Sequence, residues 1–174
     1  VHDGLAAIRE RGVVIGLTVT GPNQRDAIRR SMEIEYDGHF LFQTVQATWN
    51  LLEPSAAPAL AEAADEGIGV IVKEALANGR LTERNRRPGD EELVELLGDT
   101  ADALKVPLDA AALAAALAQP WSHVVLSGAA TPDQLKSNLR ALEATFTERA
   151  AKPFENLWEE PEDYWRARSR LPWT

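Results

Sequence analysis

Short apolar runs alternate with amphipathic stretches along most of the chain. The apolar runs are rich in Val and Ile, which is typical of buried strands, and they occupy residues 13–19, 42–51, 68–72 and 124–126. Apolar residues spaced three and four apart predict helices that end near residue 9 and that cover residues 23–34, 56–66, 90–104, 109–118 and 131–150. Each predicted strand leads into a helix, so the pattern favours right-handed βαβ units and a parallel sheet with helices outside.

Two α/β architectures contain four such units. Four parallel βα units form half of a (β/α)8 barrel, whose full length is about 250 residues. The alternative is a doubly wound open sheet, but the G-x-G-x-x-G turn of its nucleotide-binding members is absent. We therefore expect half of a TIM barrel as a single unit. It covers about residues 1–150 and is followed by a tail, about residues 151–174.

The tail is rich in tryptophan. Trp158, Trp165 and Trp173 account for three of the five tryptophans in the chain. Because aromatic side chains bury a large area, we expect the tail to pack on its own domain.

The composition excludes several classes of protein. The 174 residues include no cysteine, which excludes disulfides, thiolate zinc sites and iron–sulfur clusters. No apolar run approaches the ~18 residues that a membrane span requires. Because the segment that starts at Val1 is neither basic nor apolar, we expect no secretory leader. The net charge of −9 argues against nucleic acid as a partner. We expect a cytoplasmic protein. Residue 1 is Val and the only methionine is Met32, so either the chain starts from a valine-type codon or an N-terminal portion is missing; we expect the second.

A segment after the fourth strand combines small residues with a helix start. Thr131 is a suitable N-cap, Pro132 suits the first helical position, and Gln134 completes a capping box. Small residues at 127–130 allow close approach to the backbone, and free N–H groups at a helix start favour a phosphate. The alternative is a well-capped helix without a ligand.

Two further strand ends carry polar residues. Gln46 lies within an apolar strand, where it either faces the mouth of a barrel or bonds a neighbouring loop. Lys73 and Glu74 form either a general base or an ion pair. The three histidines are not spaced as metal ligands, so no metal site is expected.

Four segments together resemble the aldo-keto reductases, NADPH-dependent (β/α)8 barrels that reduce aldehydes and ketones. In chain order they resemble the family's fifth strand, its sixth strand, the loop after its seventh strand, and its eighth strand with the phosphate loop. They are Ile15–Thr18 (IGLT), Val45–Glu53 (VQATWNLLE), Ala75–Thr82 (ALANGRLT) and the run from Ser127 to Leu139. The resemblance reaches about Ala150 and implies the C-terminal half of the barrel.

The resemblance also implies an NADP(H) site. It assigns the nicotinamide carboxamide to Thr18 and Gln46, the pyrophosphate to Leu76, Ala77 and Gly79, and a further phosphate contact to Arg84. The adenosine end is assigned to Gly128, Ala130, Thr131, Gln134 and Asn138. Arg84 and Lys136 are expected to attract the 2′-phosphate.

The family's catalytic residues have no counterpart in this match. The Asp, Tyr, Lys and His of the tetrad belong to the second to fourth strands, which would precede Val1. We therefore assign no catalytic residue and expect the chain alone to be inactive, with the carbonyl substrate binding only to the complete enzyme.

Three departures from the family pattern leave an alternative open. Val19 occupies the position of the family's usual Asn or Arg, and Lys73 occupies that of the aromatic residue that stacks on nicotinamide. Glu74-Ala75 replaces the usual Ser-Pro. They favour a non-catalytic half-barrel that binds a nucleotide or a protein partner.

A half-barrel leaves two strand edges and one sheet face without partners. We expect Val14, Val45, Ile71 and Val125 to point into this interior. Burial stabilises by about 25 cal/mol per Å² of apolar surface, so such a face favours association. We therefore expect pairing with a missing N-terminal half, or self-association through the open edges.

Overall fold

A parallel sheet forms the centre of the molecule. A computed structural model describes residues 2–171, without the side chain of His2. The sheet has the order β1-β4-β5-β6 and is parallel throughout; these strands are Gly16–Thr18, Thr44–Thr48, Gly69–Lys73 and Val124–Val125. A separate antiparallel hairpin joins β2 (Glu35–Tyr36) to β3 (His39–Phe40).

Eight α-helices connect and follow these strands in the described part of the chain. They are α1 (His2–Arg9), α2 (Gln24–Met32), α3 (Ala57–Asp65), α4 (Glu91–Leu104), α5 (Leu108–Leu117), α6 (Pro132–Leu139), α7 (Glu148–Ala151) and α8 (Pro161–Arg168). Short 3₁₀ turns cover Ala77–Gly79, Arg140–Glu143 and Lys152–Leu157. The expected alternation of strands and helices is confirmed. None of the helices between residues 2 and 171 is long and apolar enough to cross a bilayer.

The strand order argues against a doubly wound sheet. Apart from the hairpin, each strand pairs with the strand that precedes or follows it in the chain. A doubly wound sheet reverses its order at one point, and the described residues contain no such reversal. The observed architecture is a parallel α/β sheet, as expected.

The two faces of the sheet differ in their cover. Val45, Ala47, Val70 and Val72 are at most 2% exposed and belong to one face, which packs against helices that include α3 and α5. Register partners in parallel strands point to the same side, so Gln46 and its neighbours lie on the other face. We call this second face the open face; it carries Thr18, Gln46, Ile71, Lys73 and Val124.

The expected interior face is wrong at two of its four positions. Val45 and Val125 lie on the helix-covered face, whereas Ile71 lies on the open face. Val14 lies outside β1 and is 60% exposed. The error is one of register, because a shift by one residue moves a side chain to the opposite face.

Several element boundaries also differ from expectation. β1 is shorter than residues 13–19, and Val13 and Val14 precede it as exposed residues. The helix expected to reach residue 150 ends at Leu139, because the backbone becomes extended at Ala144. A new helix, α7, then starts at the Thr147 cap, whose side chain accepts from the Ala150 N–H.

The tail packs on the carboxyl end of the sheet, as expected. Asn50 Nδ2 donates to the Tyr164 hydroxyl at 2.9 Å, and the Arg168 guanidinium pairs with Glu74 at 2.5 Å. Trp165 is buried. Trp158, however, is 54% exposed. Trp173 lies outside the described residues.

Candidate functional site

Two adjoining clefts lie at the carboxyl ends of β5 and β6. Their volumes are about 350 and 270 Å³. Both are lined by residues of the loop after β5 and of the segment before α6. The shared lining residues are Leu76, Thr82, Arg84, Gly128 and Gln134.

The loop after β5 has an unusual backbone. Glu74, Ala77 and Asn78 have φ values of 54°, 47° and 53°, which non-glycine residues rarely adopt. Gly79 follows with a φ of 90°. Such strain concentrates at functional sites. The resulting path leaves Asn78 and Gly79 at the cleft and buries Ala77 to 1% exposure.

The capping box at α6 is confirmed, and it uses N–H groups that were expected to be free. Thr131 Oγ1 accepts from the Gln134 N–H at 3.2 Å. Gln134 Oε1 accepts from the N–H groups of Ala130, at 2.7 Å, and Thr131, at 3.2 Å. A phosphate could bind these two N–H groups only after the Gln134 carboxamide turns away.

Asn138 lines the smaller cleft and carries an unsatisfied acceptor beneath the surface. The residue is 5% exposed, and its Nδ2 donates to the Ser127 carbonyl at 2.9 Å. Its Oδ1 is buried and has no hydrogen-bond partner. An unsatisfied buried acceptor costs about 1–3 kcal/mol. A ligand N–H would relieve that cost, as an adenine amino group would.

Charges around the smaller cleft are mixed. Arg84 is the cation in its lining, beside the carboxylates of Glu83, Asp109 and Asp133. Lys136 lines neither cleft and lies 3.7 Å from Asp133. The lining therefore offers a 2′-phosphate one guanidinium beside three carboxylates.

Thr18 and Gln46 lie apart from these clefts, on the open face. They are register partners on β1 and β4. Ala77 and Thr131 also line neither cleft. The other seven expected cofactor residues do: Leu76, Gly79, Arg84, Gly128, Ala130, Gln134 and Asn138.

Lys73 and Glu74 do not pair with each other through a salt bridge. Lys73 Nζ donates to Thr20 Oγ1 at 3.1 Å, while Glu74 pairs with Arg168. Burial lowers the pKa of Lys73, and the charge of Arg168 lowers it further although Glu74 opposes both. The ion-pair interpretation of these neighbours is wrong.

Sequence reasoning missed a buried ionic cluster around Arg80. Arg80 is 6% exposed and binds Asp90 through two hydrogen bonds of 2.9 and 2.7 Å. It also bonds Glu159 at 2.6 Å, 79 positions away, so no local signal could reveal the partner. We call these three residues the Arg80 cluster. In the described part of the chain, no three His, Asp or Glu residues form a group that could hold a metal ion.

Comparisons with known proteins agree with the fold. The family model described as the aldo/keto reductase family matches residues 2–159. The holo form of aldo-keto reductase AKR11C1 from Bacillus halodurans matches with a TM-score of 0.68 and 21% identity; the match covers 91% of this chain and 55% of that one. A thermostable aldo-keto reductase, Tm1743, in complex with the inhibitor epalrestat, matches with a TM-score of 0.69 and 20% identity, over 90% and 54% of the two chains. The chain thus spans about half the length of these structures. No curated protein matches it.

Proposed function

Since the chain belongs to the aldo/keto reductase family, we propose that it is the C-terminal, cofactor-binding half of an NADP(H)-dependent carbonyl reductase. The observation that carries the proposal is the pair of clefts, which gathers seven of the eleven residues that the family resemblance assigns to the cofactor. Asn138 Oδ1, buried in the cleft lining without a partner, gives that assignment a physical reason. NADPH bound here would supply a hydride for a carbonyl substrate.

The residues of the chain would hold the two ends of the cofactor. Asn138 Oδ1 accepts a hydrogen bond from the adenine amino group. Gly79 and Gly128 have positive φ values, and a side chain at either position would meet no atom within 4 Å, so a phosphate can approach their backbone. Gln46 and Thr18, on the open face, orient the nicotinamide carboxamide.

This half supplies binding and not proton transfer in our proposal. We assign no catalytic residue to the chain, so we expect no carbonyl reduction by the chain alone. The β1 and β6 strands lie at the two edges of the described sheet. We propose that these edges pair with a segment that carries the catalytic tetrad, or with a second copy of the chain.

The first test is titration with NADPH, followed by cofactor fluorescence and thermal denaturation. Ligand at about a hundredfold excess over Kd raises the free energy of unfolding by about 2.7 kcal/mol. We expect saturable binding that Asn138→Ala weakens at least about tenfold, because the variant removes the acceptor for adenine. Asn156→Ala, in an exposed part of the tail, is the matched control. Absence of NADPH binding at millimolar concentration would contradict the proposal.

A second test concerns the choice between NADPH and NADH. Asp133 lines the cleft and carries a charge that repels a 2′-phosphate. We expect Asp133→Asn to tighten the binding of NADPH about threefold and to leave the binding of NADH unchanged, because the variant removes an exposed like charge. An equal effect on both cofactors would show that the 2′-phosphate does not lie near Asp133.

Lys73 specifically favours a second candidate function, a half-barrel that binds a nucleotide without hydride transfer. Its ammonium lies on the open face, where a cation repels the oxidised nicotinamide ring. Titration with 2′-phosphoadenosine diphosphoribose, which keeps the 2′-phosphate and lacks the nicotinamide, separates the two candidates. A non-catalytic nucleotide site would bind this compound and NADPH equally, whereas the reductase half should bind NADPH more tightly because Gln46 and Thr18 add contacts.

A further inference from the structure

A third cleft, of about 730 Å³, lies away from the cofactor clefts and shares no lining residue with them. It is bounded by the connection from β4 to α3, the end of α5 and the tail. Its apolar lining includes four aromatic side chains, namely Trp49, Phe146, Phe154 and Trp158. We call it the aromatic groove. Its volume is within the range of small-molecule sites.

Trp49 lines this groove and carries an unsatisfied hydrogen-bond donor beneath the surface. The side chain is 6% exposed, yet its Nε1 is buried with no acceptor. An edge-on contact with Trp121, with ring centroids 5.8 Å apart, supports the indole. Buried indole N–H groups usually have a partner. An acceptor on a ligand in the groove would satisfy this donor after the indole turns toward the groove.

The rim of the groove carries net negative charge. Glu148, Glu155 and Glu160 line it and are exposed, whereas Glu159 is already engaged by Arg80. Arg25 is the cation in the lining. An ammonium group is thus favoured over a carboxylate at this rim. The half-exposed face of Trp158 also attracts a cation.

We propose that the aromatic groove binds a small aromatic ammonium compound whose hydrogen-bond acceptor pairs with Trp49 Nε1. The ring packs among the aromatic side chains, and the ammonium lies at the glutamate rim. This inference does not depend on the cofactor proposal, because the two sites share no residue.

The test is an NMR titration of the ¹⁵N-labelled chain, which reports the indole N–H signals of its tryptophans. Tyramine is the probe, since it combines a ring, an ammonium and a hydroxyl acceptor. Phenethylamine lacks the hydroxyl, and 4-hydroxyphenylacetate replaces the ammonium with a carboxylate. We expect saturable binding of tyramine, a downfield shift of the Trp49 indole proton, and binding of the carboxylate at least about tenfold weaker. Phenethylamine should bind without that downfield shift.

Two variants complete the design. Trp49→Phe identifies the Trp49 signal and should weaken tyramine more than phenethylamine. If this buried change prevents folding, Glu155→Gln combined with Glu160→Gln serves instead, because both residues are exposed; it should weaken tyramine about threefold. Glu92→Gln combined with Glu95→Gln, on exposed positions of α4, is the control. The proposal is overturned if tyramine does not saturate at millimolar concentration, or if the carboxylate binds equally well.

Discussion

Two cations lie at the two ends of the loop after β5, and their surroundings differ sharply. Arg80 is buried and bonded to the carboxylates of Asp90 and Glu159. Lys73 lies on the open face, and its ammonium is bonded to the hydroxyl of Thr20. The charge of Arg80 therefore stabilises the fold, whereas the charge of Lys73 remains available to a ligand at the site.

The pKa values of the two groups move in opposite directions for this reason. Burial alone would lower the pKa of Arg80, but the hydrogen bonds and charges of Asp90 and Glu159 outweigh burial and raise it. Burial lowers the pKa of Lys73, and the neighbouring Glu74 does not fully compensate. Partners, and not burial by itself, decide whether a cation is stabilised.

The largest expected effect is the loss of the Arg80 guanidinium. Arg80→Met leaves Asp90 buried without its cation and breaks the link between the β5 loop, the start of α4 and the tail. Removal of one partner from a buried ion pair typically costs about 3–5 kcal/mol, and we expect a loss of that size in the free energy of unfolding. Urea denaturation followed by circular dichroism measures it.

Arg84 provides the control for this prediction, because it is exposed and lies in the same loop. Arg84→Met should change the free energy of unfolding by less than about 0.5 kcal/mol. Equal losses for the two variants would remove the distinction between a structural and an available cation.

The next largest expected effect is on the relative affinities for NADPH and NADP⁺, which we expect Lys73 to change. Ile71 is the register partner of Gln46. Lys73 is two residues after Ile71, so it lies about 7 Å further along the same face. If Gln46 holds the nicotinamide carboxamide, the Lys73 ammonium therefore lies near the nicotinamide ring. The oxidised ring is a cation and the reduced ring is neutral. Two unit charges ~8 Å apart repel by about 2 kcal/mol at an effective dielectric constant of about 20.

We therefore expect Lys73→Met to tighten NADP⁺ about tenfold relative to NADPH after allowance for screening by salt. Parallel titrations by isothermal calorimetry measure the ratio. Lys152→Met, in the exposed tail, should leave the ratio unchanged. A ratio that is the same in Lys73→Met and in the unaltered chain would place the ring elsewhere.

The alternation of strands and helices was predictable, because it follows from local hydropathy and turn residues. The capping box of Thr131 and Gln134 was predictable for the same reason. The face of the sheet on which Val45 lies was not predictable, because the register of β4 depends on its pairing with β1 and β5. The β2–β3 hairpin was also missed, although Asp37 and Gly38, both with positive φ, mark a tight turn.

The candidate site was predictable only to the level of which residues meet. Local motifs brought Leu76, Gly128 and Asn138 into one group, and the structure places all three at the two clefts. The motifs could not show that a side chain competes with a ligand for the same backbone N–H groups. Gln134 occupies the N–H groups expected to meet a phosphate, and only the geometry of the folded loop reveals this.

The smallest expected effect returns to the Arg80 cluster and concerns pH. Burial opposes ionisation of Asp90, but hydrogen bonds from Arg80 and Asn85 outweigh it and lower the pKa of Asp90. A carboxyl group with a lowered pKa stabilises the folded state above its unfolded pKa, about 3.9, and this stabilisation is lost as the pH falls through the folded pKa.

The Asp90→Asn variant lacks this pH dependence. The gap in free energy of unfolding between the unaltered chain and Asp90→Asn should therefore shrink on acidification below about pH 4, by less than the loss in Arg80→Met. A constant gap for Asp90→Asn would mean that the Asp90 carboxylate gains nothing from Arg80.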